Sequence, residues 1–171
     1  SDPPNPAQTT ERNCGPFENV ETVSRGPREI LQRSLDDFIV VRGEHQSVIA
    51  GYPWFLDWGR DALIFVRGLI AAGKMTAARA ILQQFGQFED HGTLPNMING
   101  HDPANRDTSD APLWFILACS EFVQAENTPT FLETECSSRK MRQILLSLGY
   151  AMVNGTPNGI RMDPASGLVF S

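Results

Sequence analysis

Two predicted helices that are apolar around nearly their whole circumference constrain the fold of this chain most strongly. One covers about Arg60–Ala72 and the other about Ser109–Val123, and both have few charges beyond their first turn. A helix of this kind is expected to be buried on all sides. Three further predicted helices, about Pro27–Val41, Thr76–Phe88 and Ser137–Val153, have one apolar stripe each and are expected to face water on the other side.

The alternation of half-exposed and fully apolar helices predicts an all-α fold. Short connections make consecutive helices antiparallel neighbours, so the two apolar helices would run in the same direction inside a ring of outer helices. Because five helices cannot close such a ring, we expect about half or less of an α/α toroid, with a self-sufficient five-helix domain as the alternative. Gly73 is expected to end the second helix, and a β-hairpin is expected over Gly159–Asp163 and Gly167–Phe170.

Composition narrows the class of protein. Residues 1–26 hold four prolines and few large apolar side chains, which indicates a linker or N-terminal arm before the helical domain at 27–171. The net charge of −6 argues against nucleic acid as a partner, and no apolar run is long enough to span a membrane. Three cysteines without paired spacing favour a reducing, cytoplasmic location. Since no HxxxH or CxxC spacing occurs, we expect no metal and no cofactor.

The parallel direction of the two apolar helices would bring their N-terminal ends to one mouth, fed by residues 50–60 and 89–109. The first segment contains Trp54, Trp58 and the adjacent pair Arg60-Asp61. Aromatic faces beside charged donors and acceptors suit a pyranose ring, which has an apolar C–H face and hydroxyls at its edge. Packing of both indoles in the core and a structural role for the pair are the alternatives.

The second segment leads into Thr108-Ser109-Asp110, where Asp110 begins the other apolar helix. A carboxylate at a sugar-sized mouth is a candidate general acid, although a helix start also favours aspartate for structural reasons. Asn96 and Asp107 in the same loop are candidate sugar ligands; a turn-forming role is the alternative for Asn96.

Four separated segments resemble the glycogen debranching enzyme family, specifically its C-terminal amylo-α-1,6-glucosidase domain. They are Val-Ile-Ala-Gly-Tyr-Pro-Trp-Phe-Leu-Asp-Trp-Gly-Arg-Asp at 48–61, Gly-Thr-Leu-Pro-Asn at 92–96, Asp-Ala-Pro-Leu-Trp-Phe at 110–115, and Asn-Gly-Ile-Arg-Met-Asp-Pro at 158–164 with Gly167-Leu168. They follow the family's order, and the likeness covers about residues 27–171. The resemblance implies an (α/α)6 catalytic domain of which this chain supplies the N-terminal portion.

The resemblance also implies an activity and roles. Arg60 and Asp61 would hold a terminal glucose, and Asp110 would be the general acid of a glycoside hydrolase. The substrate would be an α-1,6-linked glucose stub on a glycogen-like glucan, cleaved with inversion. The catalytic base is expected beyond Ser171, in the rest of the catalytic domain, so the chain alone is expected to be inactive. A glucoamylase-like exo-α-glucosidase and a non-catalytic glucan-binding module are the alternatives.

Overall fold

The computed structural model describes residues 26–42, 45–51 and 56–170, and these form mainly helices. The α-helices of this part of the chain are α1 (Pro27–Asp37), α2 (Gly59–Ala71), α3 (Met75–Gly86), α4 (Ala111–Glu126) and α5 (Met141–Asn154), with a 3₁₀-helix at Pro129–Glu133. Its strands are β1 (Ile39–Arg42), β2 (His45–Val48), β3 (Asp57–Trp58), β4 (Met97–Ile98), β5 (Glu135–Cys136), β6 (Arg139–Lys140), β7 (Arg161–Met162) and β8 (Val169–Phe170), paired in that order as antiparallel two-stranded sheets. The expected helical character is confirmed, and the predicted arm at 1–26 lies almost entirely outside the described residues.

The ends of the central helices follow from local chemistry. Gly73 has φ +76° and donates its backbone N–H to the Ile70 carbonyl, while Lys74 donates to the Leu69 carbonyl. This pair of bonds satisfies the last carbonyl groups of α2, and only glycine adopts the left-handed conformation without strain. The predicted stop at Gly73 is confirmed. Pro112 lies in the first turn of α4, where its missing N–H costs nothing.

The hydrophobic core lies where α2 packs against α3 and α4 and where α3 also contacts α5. Most of its largest fully buried side chains come from these helices and from the 3₁₀-helix: Phe85, Phe115, Phe122, Phe131, Leu63, Leu69, Ile81, Leu82, Ile144 and Met141. Burial of this apolar surface is the main force holding the helices together.

Ion pairs along the helices define their directions. Arg60 at the start of α2 binds Asp110 at the start of α4, and Arg67 further along α2 binds Glu121 further along α4. The two helices therefore run in the same direction, as predicted. Arg79 near the start of α3 binds Glu126 at the end of α4, and Gly86 at the end of α3 lies against Phe115 near the start of α4, so α3 runs the opposite way.

The prediction that α2 and α4 are buried on all sides is wrong for the described residues. Ile64 of α2 is 41% exposed, and Leu113 and Leu117 of α4 are 43% and 39% exposed. The described residues cover these side chains only in part, whereas Leu63 and Val66 of α2 and Phe115 and Ala118 of α4 are fully buried. The stripe predicted for α1 is also uncovered in part, since Ile30 and Leu31 are exposed.

Two helix boundaries differ from the predictions because strands replace helix. The first helix ends at Asp37 instead of Val41, and β1 pairs with β2, with Ile39 opposite Val48. Side chains branched at Cβ in Ile39-Val40-Val41 favour extended backbone over helix. The fifth helix begins at Met141 instead of Ser137, after a tight turn in which Ser137 has φ 57°.

The predicted C-terminal hairpin is confirmed. Strand β7 pairs with β8, with Arg161 opposite Phe170 and Met162 opposite Val169. None of the helices in the described part of the chain has the length and hydropathy needed to cross a lipid bilayer.

Candidate active site

A polar cavity of about 460 Å³ opens where α2 and α4 begin. Its lining combines one indole and one aliphatic side chain with seven polar residues: Trp58, Ile160, Arg60, Asn96, Asp107, Thr108, Ser109, Asp110 and Asn158. The volume lies within the roughly 300–1,000 Å³ that is typical of small-molecule sites. An aromatic face among many hydrogen-bonding groups suits a carbohydrate ligand.

The charged centre of the cavity is the pair formed by Arg60 and Asp110. Nη1 of Arg60 donates to Oδ2 of Asp110 at 3.1 Å, and the two side chains are 61% and 36% exposed. An ion pair this open to solvent contributes little to folding stability. The arrangement therefore has no large structural benefit, and both groups can reach a bound ligand.

Asp110 does not use its carboxylate to cap α4, although it occupies the N-cap position. Its side chain makes no capping hydrogen bond. Instead, Thr108 accepts a long hydrogen bond from the N–H of Ala111 at 3.4 Å and donates its own hydroxyl to Oδ1 of Asp110 at 2.8 Å. The Asp110 side chain therefore does not act as a helix cap.

Trp58 and Asn96 are placed by a short sheet at the entrance to α2. Trp58 ends β3 and lies opposite Met97 of β4, which directly follows Asn96. Gly59 then donates its N–H to the Asn96 carbonyl at 2.8 Å. Two residues of β-pairing and one further bond thus bring the indole and the amide to the same cavity wall.

Arg106 holds the loop between β4 and α4 in shape without lining the cavity. Its guanidinium donates to the carbonyls of Phe88 at 2.7 Å and of Thr93 at 3.2 Å, as well as to the Thr93 hydroxyl at 2.9 Å. Its own carbonyl accepts from the amide of Asn158 at 3.0 Å. The site loop is therefore tied both to the end of α3 and to the segment that follows α5.

The structure brings together five of the sequence-predicted site residues and places Asp61 elsewhere. Trp58, Arg60, Asn96, Asp107 and Asp110 line the cavity. Asp61 lines a second, mainly apolar pocket of about 300 Å³ with Phe38, Val48 and Ile64 among its walls. Successive helix residues point about 100° apart, which explains why Arg60 and Asp61 face different pockets. Trp54 lies outside the described residues.

Thr108, Ser109, Asn158 and Ile160 also line the cavity and were not among the predicted site residues. Asn158 begins one of the segments that carry the family resemblance, so a signal for it was present. Only the structure shows that Thr108 and Ser109 line the cavity, because threonine and serine are common before any helix and do not by themselves indicate a binding site.

The described part of the chain shows no group of three or more His, Cys, Asp or Glu side chains arranged to hold a metal ion. Cys119 and Cys136 are free and buried, and burial raises the pKa of both thiols, that of Cys136 to about 11. Neither thiol is suited to nucleophilic chemistry near neutral pH.

Comparison with known proteins agrees with the resemblance seen in the sequence. The sequence model of a family described as amylo-alpha-1,6-glucosidase matches residues 33–171. The glycogen debranching enzyme of Saccharomyces cerevisiae is 27% identical over 110 residues, which cover 61% of this chain and 7% of the yeast protein. The chain thus spans a small fraction of this curated relative, and no solved structure matches. Because the family match extends over most of the 171 residues, the chain belongs to the amylo-alpha-1,6-glucosidase family.

Proposed function

We propose that this chain forms part of the active site of a glycoside hydrolase that removes α-1,6-linked glucose from a glycogen-like glucan. The single observation that carries the proposal is the Arg60–Asp110 pair in a polar cavity with one indole wall. The family match supports the reaction class, and the name of the yeast relative supports a glycogen-type substrate. The helices would belong to an (α/α)6 toroid, consistent with the shared direction of α2 and α4.

In the proposed reaction, Asp110 donates a proton to the glycosidic oxygen as the bond to the anomeric carbon breaks. Trp58 would pack against the sugar face, while Arg60, Asn96 and Asp107 would bind its hydroxyls. Arg60 occupies one carboxylate oxygen of Asp110 in this structure, so the substrate must displace that contact. General acid catalysis by a placed carboxyl group typically accelerates a reaction by about 10²–10⁴-fold.

An inverting mechanism needs a second carboxylate about 6.5–9.5 Å from the acid, with room for the attacking water. We assign this base to polypeptide of the parent protein outside the chain, since the yeast relative is far longer than the matched segment. The chain alone is then expected to bind a glucan without hydrolysing it.

The test is the Asp110→Asn variant of the full-length parent protein, assayed for glucose release from an α-1,6 stub and for binding of the same glucan. We expect kcat to fall at least about 100-fold while binding is retained. The control is Asp37→Asn at the exposed end of α1, which should keep full activity. Unchanged release by the Asp110 variant would refute the acid assignment and favour a glucan-binding module.

The same assay addresses substrate preference. Release from an α-1,6 stub in preference to a linear α-1,4 chain supports the debranching function. Faster release from the linear chain would instead identify an exo-α-glucosidase of the glucoamylase type.

A further inference from the structure

The two carboxylate oxygens of Asp110 have partners of different kinds. Oδ1 accepts the hydroxyl of Thr108 at 2.8 Å, and Oδ2 accepts Nη1 of Arg60 at 3.1 Å. Thr108 is a short side chain two residues away in the same loop, whereas Arg60 is a long side chain that is 61% exposed. The oxygens are therefore not equivalent when a substrate arrives.

Thr108 is itself fixed by the surrounding loop. Its backbone N–H donates to the Arg106 carbonyl at 2.9 Å, and Arg106 is anchored through its guanidinium to Phe88 and Thr93. Its hydroxyl oxygen also accepts from Ala111 at the start of α4 at 3.4 Å. The hydroxyl thus lies between a braced loop and a helix end, in position to hold Oδ1.

We infer that Thr108 is a positioning residue for Asp110, and that Oδ2 is the oxygen that delivers the proton. This inference rests on the proposed function. Arg60 leaves Oδ2 when the glucan binds, because it is the partner with free access to solvent and to other acceptors. Thr108 keeps Oδ1 as the carbonyl oxygen of the neutral acid, which directs the proton on Oδ2 to the substrate.

Oδ2 takes up a proton from solvent after Arg60 has left it, and the base later returns one proton to solvent, so the cycle balances. The proton moves from Oδ2 to the glycosidic oxygen, which keeps the electron pair of the broken bond and leaves as a hydroxyl. Water adds to the anomeric carbon and gives its proton to the base. Asp110 is left as a carboxylate whose Oδ1 still accepts from Thr108, and Arg60 can return to Oδ2.

The experiment compares Thr108→Val and Thr108→Ser in the full-length parent protein, with two substrates. One is the α-1,6 glucan stub, whose leaving group needs a proton; the other is α-glucosyl fluoride, whose leaving group departs with little help from an acid. We expect Thr108→Val to lower kcat on the stub about five- to tenfold, the factor that one neutral hydrogen bond supports. KM on the stub and turnover of the fluoride should change less than about twofold, and Thr108→Ser should restore kcat on the stub.

An equal loss on both substrates, no loss on the stub, or no rescue by serine would overturn the role of Thr108. Asp110→Asn in the same assay separates this result from failure of the proposed function. If Asp110→Asn retains stub hydrolysis, the acid assignment is wrong. If it loses hydrolysis while Thr108→Val does not, only the inference about Thr108 is wrong. Thr108→Ala replaces the valine variant if valine prevents folding.

Discussion

Gly59, the first residue of α2, is expected to tolerate no side chain. A Cβ atom built on it lies 2.7 Å from the carbonyl oxygen of Pro95 and 3.3 Å from Cβ of Ala111. The first distance is shorter than real contacts of this kind, and both neighbours, Pro95 and Ala111, are buried. Since the obstructing atom is a backbone oxygen, rotation of a side chain cannot relieve the clash.

Gly68, in the middle of the same helix, is the matched control. The nearest atom to its added Cβ is Cδ2 of Leu35 at 4.0 Å, which is an ordinary contact. Alanine there should stabilise the helix by about 0.5–1 kcal/mol, because glycine has the higher backbone entropy in the unfolded chain. At Gly59 overpacking should dominate and destabilise by about 1–3 kcal/mol. The two variants should therefore differ by about 1.5–4 kcal/mol in the free energy of unfolding.

Urea unfolding of Gly59→Ala, Gly68→Ala and the unmodified protein, followed by far-ultraviolet circular dichroism, measures this difference. Gly59→Ala should unfold at a clearly lower urea concentration, and Gly68→Ala at an equal or higher one. Equal midpoints for the two variants would refute the steric argument. They would mean that the loop at Pro95 moves away from α2 at little cost.

Two further predictions concern buried groups away from the cavity. Glu89, whose side chain is fully buried, is ion-paired with Arg139 and accepts from Ser147 and Gly92, so Glu89→Gln should lower the free energy of unfolding by about 1–3 kcal/mol. The control is Glu133→Gln, which breaks exposed ion pairs with Lys140 and Arg142 and should leave the urea midpoint nearly unchanged. Equal shifts of the midpoint in the two variants would show that burial of Glu89 is unimportant. In a Cys14→Ser background, Cys136 and Cys119 should react with a thiol reagent far faster after unfolding than in the native protein, because burial raises the pKa of Cys136 to about 11 and raises that of Cys119 as well. Labelling of the native protein as fast as in urea would contradict the burial of both thiols. The raised pKa of Cys136 also favours the folded state below about pH 9, and this contribution to stability should be lost as pH rises towards 11.

Helix patterns in the sequence predict the centre of the fold because their physical causes are local. Gly73 ends α2 through its own backbone conformation, and the antiparallel rule for short connections places Arg60 and Asp110 at one end of the molecule. The predicted burial of Ile64 and Leu113 failed since periodicity shows that a face is apolar without showing what covers it.

Other features of the site depend on contacts that no local pattern contains. The pairing of Trp58 with Met97 involves strands of two residues, too short for an alternating pattern to be visible. The contact of Thr108 with Asp110 needs the loop geometry itself. The different pockets reached by Arg60 and Asp61 follow from helical rotation, but which pocket each one meets depends on the tertiary packing.

The guanidinium of Arg106 has a consequence for how natural variation changes the shape of the cavity. It joins the carbonyls of Phe88 and Thr93 behind the wall that carries Thr108 and Asn158. A substitution of Arg106 would shift several residues of the cavity wall at once, although Arg106 itself does not line the cavity. The shape of the cavity in related sequences can therefore change through position 106 while every residue that lines it stays the same.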